Sequence, residues 1–413
     1  MRLIFLLSFF LPALGFGQSD RVRQFTKTLC SSEFHGRGYV NGGDSIAAEY
    51  IANTFKELGL KQIANSYFQP FSFSVNTFPN ELELKLGNRL LVPGIHYLVD
   101  PSSGGGKFEG NLLKLTFDDL YNNKFESKKI KQGTVLIWKN TGYSGDTLKK
   151  LNQKLASLRS SAPIIEVVNS KFTWSVSQES RKYPFLQVQD SVYNDSISRV
   201  AINIDAQTIR HKARNVLGFL PAKKKTDKTI LISAHYDHLG QMGSETYFPG
   251  GNDNASGNAM LIALIEKLKQ SPLRKYNVLF VAFAGEEIGL LGSQYMIKHP
   301  IIPLKDIRFM LNLDIMGSGE EGITVVNSTI FKKEFNGLLK LNKKLNAVPL
   351  VKPRGPAANS DHFYFTEAGV PAFFIYTMGP NKHYHDVFDS YEELSFKAFD
   401  SLSLLLEKFV RKL

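Results

Sequence analysis

A chain of 413 residues, 43% hydrophobic and 21% charged, is long enough for two domains or for one large α/β domain with an insertion, and its composition excludes disorder as the default. The formal net charge is +12, but the cations fall in short clusters (Lys128, Lys129 and Lys131; Lys223, Lys224 and Lys225; Lys332 and Lys333; Lys343 and Lys344) that read as solvated faces, and no nucleic-acid recognition motif accompanies them. The single cysteine, Cys30, excludes an intramolecular disulfide.

Met1-Arg2, an apolar run over 3–11, Pro12, and small residues at Gly15 and Gly17 have the layout of a secretory signal, expected over residues 1–17 with cleavage after Gly17. The run falls short of the about 20 apolar residues that a bilayer span needs. No cysteine follows it to carry a lipid anchor, and no later segment looks transmembrane. An exported protein, periplasmic or extracellular, is the expectation. Residues 21–29 read as a helix, with Cys30 packed beside Leu29. Residues 44–58 read as a clearer one, with Ile46, Ala47, Tyr50, Ile51, Phe55 and Leu58 on one stripe, stopped by Gly59. Residues 62–73 look extended.

From 74 to 206 the texture changes to short alternating runs and turn residues, as in 81–86, 133–138 and 162–168, with the triplet Gly104-Gly105-Gly106 marking a loop. This stretch reads as an inserted, mostly β domain between the two parts of a main domain, 18–73 and 207–413. From about Asn215 strands and helices alternate: strand 229–234, helix 255–268, strand 277–284, helix 287–298, strand 307–313, helix 332–345, strand 370–376 and closing helix 391–410. Such alternation predicts an α/β fold, a mainly parallel (mixed) sheet with helices on both faces. In these sheets sites form beyond the carboxyl ends of strands.

Metal-ligand residue types stand at those ends. The first strand runs into His235-Tyr236-Asp237-His238, where Asp237 could accept a hydrogen bond from His235; a lone strand-end histidine is more often an ordinary polar residue. Gly250-Gly251-Asn252-Asp253-Asn254-Ala255-Ser256-Gly257 opens the next helix, and Asp253 taken alone reads best as a helix cap. The paired carboxylates Glu286 and Glu287 follow a buried strand. One can bind metal while the other faces a water, the division of labour that metal-assisted hydrolysis needs. Asp314 ends a further apolar strand, and His383, Tyr384, His385, Asp386 and Asp389 follow the last. Zinc takes imidazole nitrogen and carboxylate oxygen. A pair of cations about 3.5–4 Å apart needs a shared carboxylate, for which Asp253 is placed.

Together the segments SAHYDHLG (233–240), GGNDNASG (250–257), AGEEIGLLGS (284–293), NLDIMG (312–317), NSDHFYF (359–365) and YHDVFDS (384–390) resemble the co-catalytic zinc aminopeptidases related to bacterial leucyl aminopeptidase, glutamate carboxypeptidase and glutaminyl cyclase, in that family's order. The resemblance implies a zinc-exopeptidase-like fold and two zinc ions, with cobalt or manganese as substitutes. It implies His235 and Asp314 on one ion, Glu287 and His385 on the other, and Asp253 bridging. It makes Glu286 the general base, Asp237 the residue that orients His235, Tyr384 a candidate for polarising the scissile carbonyl, and Asp361 and Asp389 supporting residues. The substrates implied are peptides with a free N-terminus. Two features depart from or blur the pattern: Asp386-Val387 stand where Thr-Pro is usual, and His383 competes with His385 for the ligand role. The insertion falls where relatives can carry a protease-associated domain. The rivals are a single-zinc glutaminyl cyclase, a carboxypeptidase that would lean on Arg354, and a binding protein that retains the shell without catalysis. No Gly-x-Ser-x-Gly elbow supports a non-metal α/β hydrolase.

Overall fold

Long apolar runs with no polar alternation bury both faces of a strand, and here they build a central eight-stranded sheet. The computed structural model describes residues 18–413; the expected leader, 1–17, lies outside the described residues. The strands are β1 (Phe68–Thr77), β2 (Gln207–Leu220), β3 (Thr229–His235), β4 (Asn277–Phe283), β5 (Ile307–Asp314), β6 (Gly322–Val326), β7 (Val351–Pro353) and β8 (Ala372–Met378), in the order β1-β2-β4-β3-β5-β8-β6-β7. The middle four, β4-β3-β5-β8, are mutually parallel, and antiparallel neighbours flank them. The sheet is thus mixed with a parallel centre, as the alternation of strand and helix predicts.

Helices cover both faces. Ile230 and Ile232 of β3 pack with residues of α1 (Gln18–Leu29), α2 (Gly43–Glu57), α3 (Ser256–Gln270), α5 (Lys332–Leu345) and α7 (Phe399–Val410). Leu231, between them in sequence and so on the opposite face, packs with Met296 of α4 (Leu291–Lys298) and Phe365 of α6 (His362–Glu367). Helix α3 is apolar on nearly every side, Leu261, Ile262, Leu264 and Ile265 all being fully buried, because it lies between the sheet and the outer helices.

Two expected helices are shorter than their apolar pattern suggests. The segment predicted as helical from 287 begins at Leu291, because Gly285, Gly289 and Leu290 take positive φ and hold Glu286 and Glu287 in a turn. The closing helix begins at Phe399 rather than 391, because Phe396 takes a φ of 51° and donates its backbone N–H to Gly317 O, tying the chain to the loop after β5. Strands β6 and β7 fall in a stretch that the apolar pattern does not mark.

Strand β1 pairs antiparallel with β2 along its whole length, from Phe68 opposite Val216 to Thr77 opposite Gln207. The segment between them folds into a second eight-stranded sheet, from Leu82–Leu86 to Arg199–Ile204. It is strand-rich but not purely β. Its centre is parallel and is crossed by the helix Gly145–Leu158, whose buried Leu151, Leu155 and Leu158 recur at helical spacing. Its core runs on into Leu239, Met242 and Phe248, so the inserted sheet packs against the loop that follows β3.

One buried cation ties this region together. Arg37 is fully buried; its Nε donates to Tyr236 O at 2.8 Å, its Nη1 to Leu29 O and Pro249 O, and its Nη2 to Gly250 O at 2.7 Å. Beside it, a Cβ on Gly38 would stand 2.3 Å from Gly240 Cα, so the two backbones touch where only glycine fits. Replacing Arg37 by Met takes the guanidinium from the buried carbonyls of Tyr236, Leu29 and Pro249, while Gly250 O keeps the Ala255 N–H. With each unsatisfied acceptor worth about 1–3 kcal/mol, a loss of at least about 3 kcal/mol in urea unfolding is expected.

Candidate metal centre

The parallel strands deliver their carboxyl ends to one edge, and the chemistry-bearing residues stand there. His235 is the last residue of β3 and Asp314 the last of β5; Glu286 and Glu287 follow β4, and His385 follows β8. Asp253 comes from the turn Gly251–Ala255 that precedes α3. It is not a helix cap: its neighbour Asn254 accepts from the Gly257 N–H at 2.9 Å through Oδ1, and Asp253 itself has non-helical angles. Polar residues of the same turn and of the first turn of α3 fasten it to the strand ends. Asn254 Nδ2 donates to Leu313 O, Asn258 Nδ2 to His235 O, and the Gly317 N–H to Asn252 Oδ1. The buried Asp389 carboxylate accepts from the backbone N–H groups of Asn252 and Asp253 at 2.9 and 3.0 Å, holding the turn from the other side.

The side chains form two clusters that share one carboxylate. His235 Nε2 lies 3.2 Å from Asp253 Oδ1 and 3.4 Å from Asp314 Oδ2. His385 Nε2 lies 3.1 Å from the other oxygen of Asp253, Oδ2, and 3.2 Å from Glu287 Oε2. Each cluster can offer one nitrogen and two oxygens to a cation. His385 Nε2 and Asp314 Oδ1 are buried without a well-aligned hydrogen bond among the described residues. With Asp237, Glu286 and Asp361 close by, carboxylates outnumber imidazoles, and so many anions out of water call for cations. The donor set is the nitrogen-and-oxygen set that zinc accepts, so the residues present fit the metal. His383 stands apart: its ring faces Asp386 at 3.4 Å and Glu393 at 3.8 Å, and His385 alone of the two meets Asp253.

Supporting contacts differ from the sequence reading in one respect. His235 Nδ1 meets the backbone carbonyl of Asp237 at 3.1 Å, while the nearer carboxylate oxygen of Asp237 is 3.8 Å away. The Asp237 carboxylate instead accepts from the backbone N–H groups of Glu286 and Glu287 and from the Tyr39 hydroxyl at 2.7 Å, so it fixes the turn that carries the paired glutamates. Glu286 is partly buried, and its carboxylate makes no hydrogen bond or ion pair with the described residues. Burial and the neighbouring Glu287, Asp361 and Asp314 hold it well above the usual carboxylate range, against the pull of His235. Tyr384 is half exposed and stacks on the His385 ring at 3.8 Å.

Several supporting residues receive no role from the sequence. His238 is fully buried, and its Nδ1 donates to Glu287 Oε1 at 2.7 Å, steadying the oxygen that His385 does not face. Arg37 and Tyr39 lie some two hundred residues upstream of their partners, and only the fold brings them in. His385 Nδ1 is met by the carbonyl of Trp174, from the inserted segment.

The same crowding sets a pH dependence for the metal-free chain. Burial pushes Asp237 up to about 6, and Asp361 and Asp389 up to about 7. His385 rises to about 11: burial opposes its charge, and Glu287 and Asp253 override burial. All four groups bind protons more tightly folded than unfolded. Their contribution is therefore full at low pH and is lost as pH rises through about 4–7 for the aspartates and upward from about 6.5 for the histidine. Glu287, lowered to about 2 by His385 and His238 against burial, acts in the opposite sense only below its ordinary value of 4.5. Calorimetry of chelator-treated protein should show a Tm that falls from about pH 5 to about pH 9. A Tm that rises over that interval would contradict this electrostatic picture.

Residues 215–410, the stretch that carries both clusters, match the profile of Peptidase family M28. The resemblance read from the motifs is borne out. The chain is 30% identical over 194 residues to Aminopeptidase YwaD of Bacillus subtilis, covering 44% of this chain and 41% of that protein. It is 24% identical over 234 residues to Leucine aminopeptidase 1 of Paracoccidioides brasiliensis, covering 53% of this chain and 60% of that one. The matched stretches thus span about half the length of these curated relatives. In fold, the likeness covers nearly the whole chain: a crystal structure of a zinc aminopeptidase from Bacillus subtilis superposes with a TM-score of 0.69 at 18% identity, over 95% of this chain and 94% of that one.

Proposed function

We propose that the protein is an exported aminopeptidase with two zinc ions, which hydrolyses the first peptide bond of peptides with a free N-terminus. The observation that carries the reading is the pair of clusters that share Asp253, with Glu286 beside them and committed to no other contact. His235, Asp253 and Asp314 would hold one ion, and Asp253, Glu287 and His385 the other. Zinc bound there supplies a Lewis acid for the scissile carbonyl and lowers the pKa of the attacking water toward about 7. Glu286 takes the proton from that water and delivers it to the leaving amine, the task for which a raised carboxyl is suited. Tyr384, half exposed at the rim, can donate its hydroxyl to the oxyanion that develops on the carbonyl. The carboxylate-rich surroundings favour a substrate that brings its own positive charge, and a free α-amine does so. Export rests on the sequence of residues 1–17; among the described residues, no helix is long and apolar enough to cross a membrane.

The carboxypeptidase reading is weaker. Arg354, the obvious candidate for holding a C-terminal carboxylate, is taken up in donating to the Tyr376 hydroxyl at 3.0 Å. The test is a panel of aminoacyl-arylamides alongside N-acetylated controls and glutaminyl peptides, with bound zinc counted. Release from free-amine substrates only, abolished by chelation and restored by zinc, is expected. Cyclisation of N-terminal glutamine with a single zinc per chain would assign the protein to the cyclase branch instead.

A further inference from the structure

Asp253 apart, His385 is the proposed ligand that lies furthest beyond the end of its strand. It follows β8 in irregular chain and takes a φ of 57°, a conformation that side-chain-bearing residues disfavour. Something must hold it, and the holding groups come from the inserted segment. Trp174 donates its backbone N–H to His385 O at 2.9 Å, and its carbonyl accepts from His385 Nδ1 at 3.0 Å. This reciprocal pair places the proton on Nδ1 and turns the Nε2 lone pair toward Asp253 and Glu287. Trp174 is itself anchored: its indole Nε1 donates to Val99 O at 2.6 Å, and its ring stacks on Phe248 at 4.7 Å. Three residues upstream, the Lys171 ammonium lies 2.9 Å from the Asp386 carboxylate and donates to the carbonyls of Tyr384 and Lys382, gripping the chain on both sides of His385. By contrast, His235 takes its Nδ1 partner from Asp237 and Glu287 takes His238, both within the matched peptidase region.

We propose that the inserted segment is a working part of the second metal site, with Trp174 and Lys171 as the positioning residues that present His385 to the cation. An ordinary packing contact between two sheets would stabilise the fold without favouring either cluster. A positioning contact affects only the cluster that contains His385. Docking of the inserted sheet and occupancy of that site are then linked, and each strengthens the other.

The proposal rests on the two-zinc reading, and the test separates the two. Zinc affinities of the full chain and of Trp174→Leu and Lys171→Met would be measured by competition with a chromophoric chelator, with thermal unfolding of the chelator-treated proteins alongside. Trp174→Leu keeps the backbone carbonyl behind His385 but removes the indole that anchors it on Val99 O and Phe248; one of the two zincs should bind up to about 10-fold more weakly, the low end of the cost of losing such a partner outright, while the other stays within about twofold. Lys171→Met, at a half-exposed position where misfolding is not expected, should weaken the same site by a smaller factor. Unchanged affinities in both variants, or an equal loss at both sites, would overturn the proposal. A wild-type chain that holds a single zinc would overturn the two-metal reading itself, and the second site with it.

Discussion

Glu286→Gln is expected to lower kcat by about 10³-fold, within the range that a positioned general base supplies, while zinc content and KM stay close to those of the wild type. Glutamine keeps the shape of the side chain and loses only its capacity to accept a proton. The backbone N–H of Glu286 stays on Asp237, so the turn and the neighbouring proposed ligand Glu287 are not disturbed. Because the substitution removes the proposed base and none of the proposed ligands, the acid limb of the kcat/KM profile should disappear along with the rate. Stopped assays on an aminoacyl-arylamide, with metal analysis of the same samples, measure both effects. A variant with full turnover would mean that another group takes the proton.

Asp253→Asn should have a different signature. Asp253 offers Oδ1 to the His235 cluster and Oδ2 to the His385 cluster, so one substitution reaches both. The amide has one acceptor oxygen and no charge, and cannot offset two cations held about 3.5–4 Å apart. Zinc should bind more than about 100-fold more weakly at one site or both, since loss of a partner behind a ligand alone costs about 10–100-fold. Activity should fall with occupancy and recover in part at high added zinc. The backbone of residue 253 remains fastened by Asp389, so loss of metal need not mean loss of fold. Circular dichroism of the same preparation would confirm that the chain is folded when the zinc count is read.

The site was legible in the sequence to the extent that strand ends are. His235, Asp314 and the Glu286–Glu287 pair announce themselves because apolar runs stop on them, and parallel packing then brings them together. Asp253 is legible by motif rather than by pattern: alone it looks like a cap, but Asn254 takes the bond from the Gly257 N–H, and Asn252, Asn254 and Asn258 fasten the turn. The role of Asp237 was misplaced by spacing. Two residues from His235 suggests contact between the side chains, but the backbone carbonyl takes the imidazole and the carboxylate turns to the next strand. Arg37, Tyr39 and Trp174 are not legible at all, because their importance comes from burial and long-range hydrogen bonds with no local periodicity to report it; His238 stands in the motif, but its contact with Glu287 does not show there. Among the folding elements, the helix Gly145–Leu158 was hidden by the strand-like texture around it. The start of α4 was misread because apolar spacing continues through a turn that positive-φ residues break.

The shared role of Asp253 is the centre of the account, and anomalous diffraction at the zinc absorption edge tests it most directly. Two peaks are expected about 3.5–4 Å apart, one against His235, Asp253 and Asp314, the other against Asp253, Glu287 and His385. A single peak, or a second ion bound by His238 or His383 in place of His385, would contradict it.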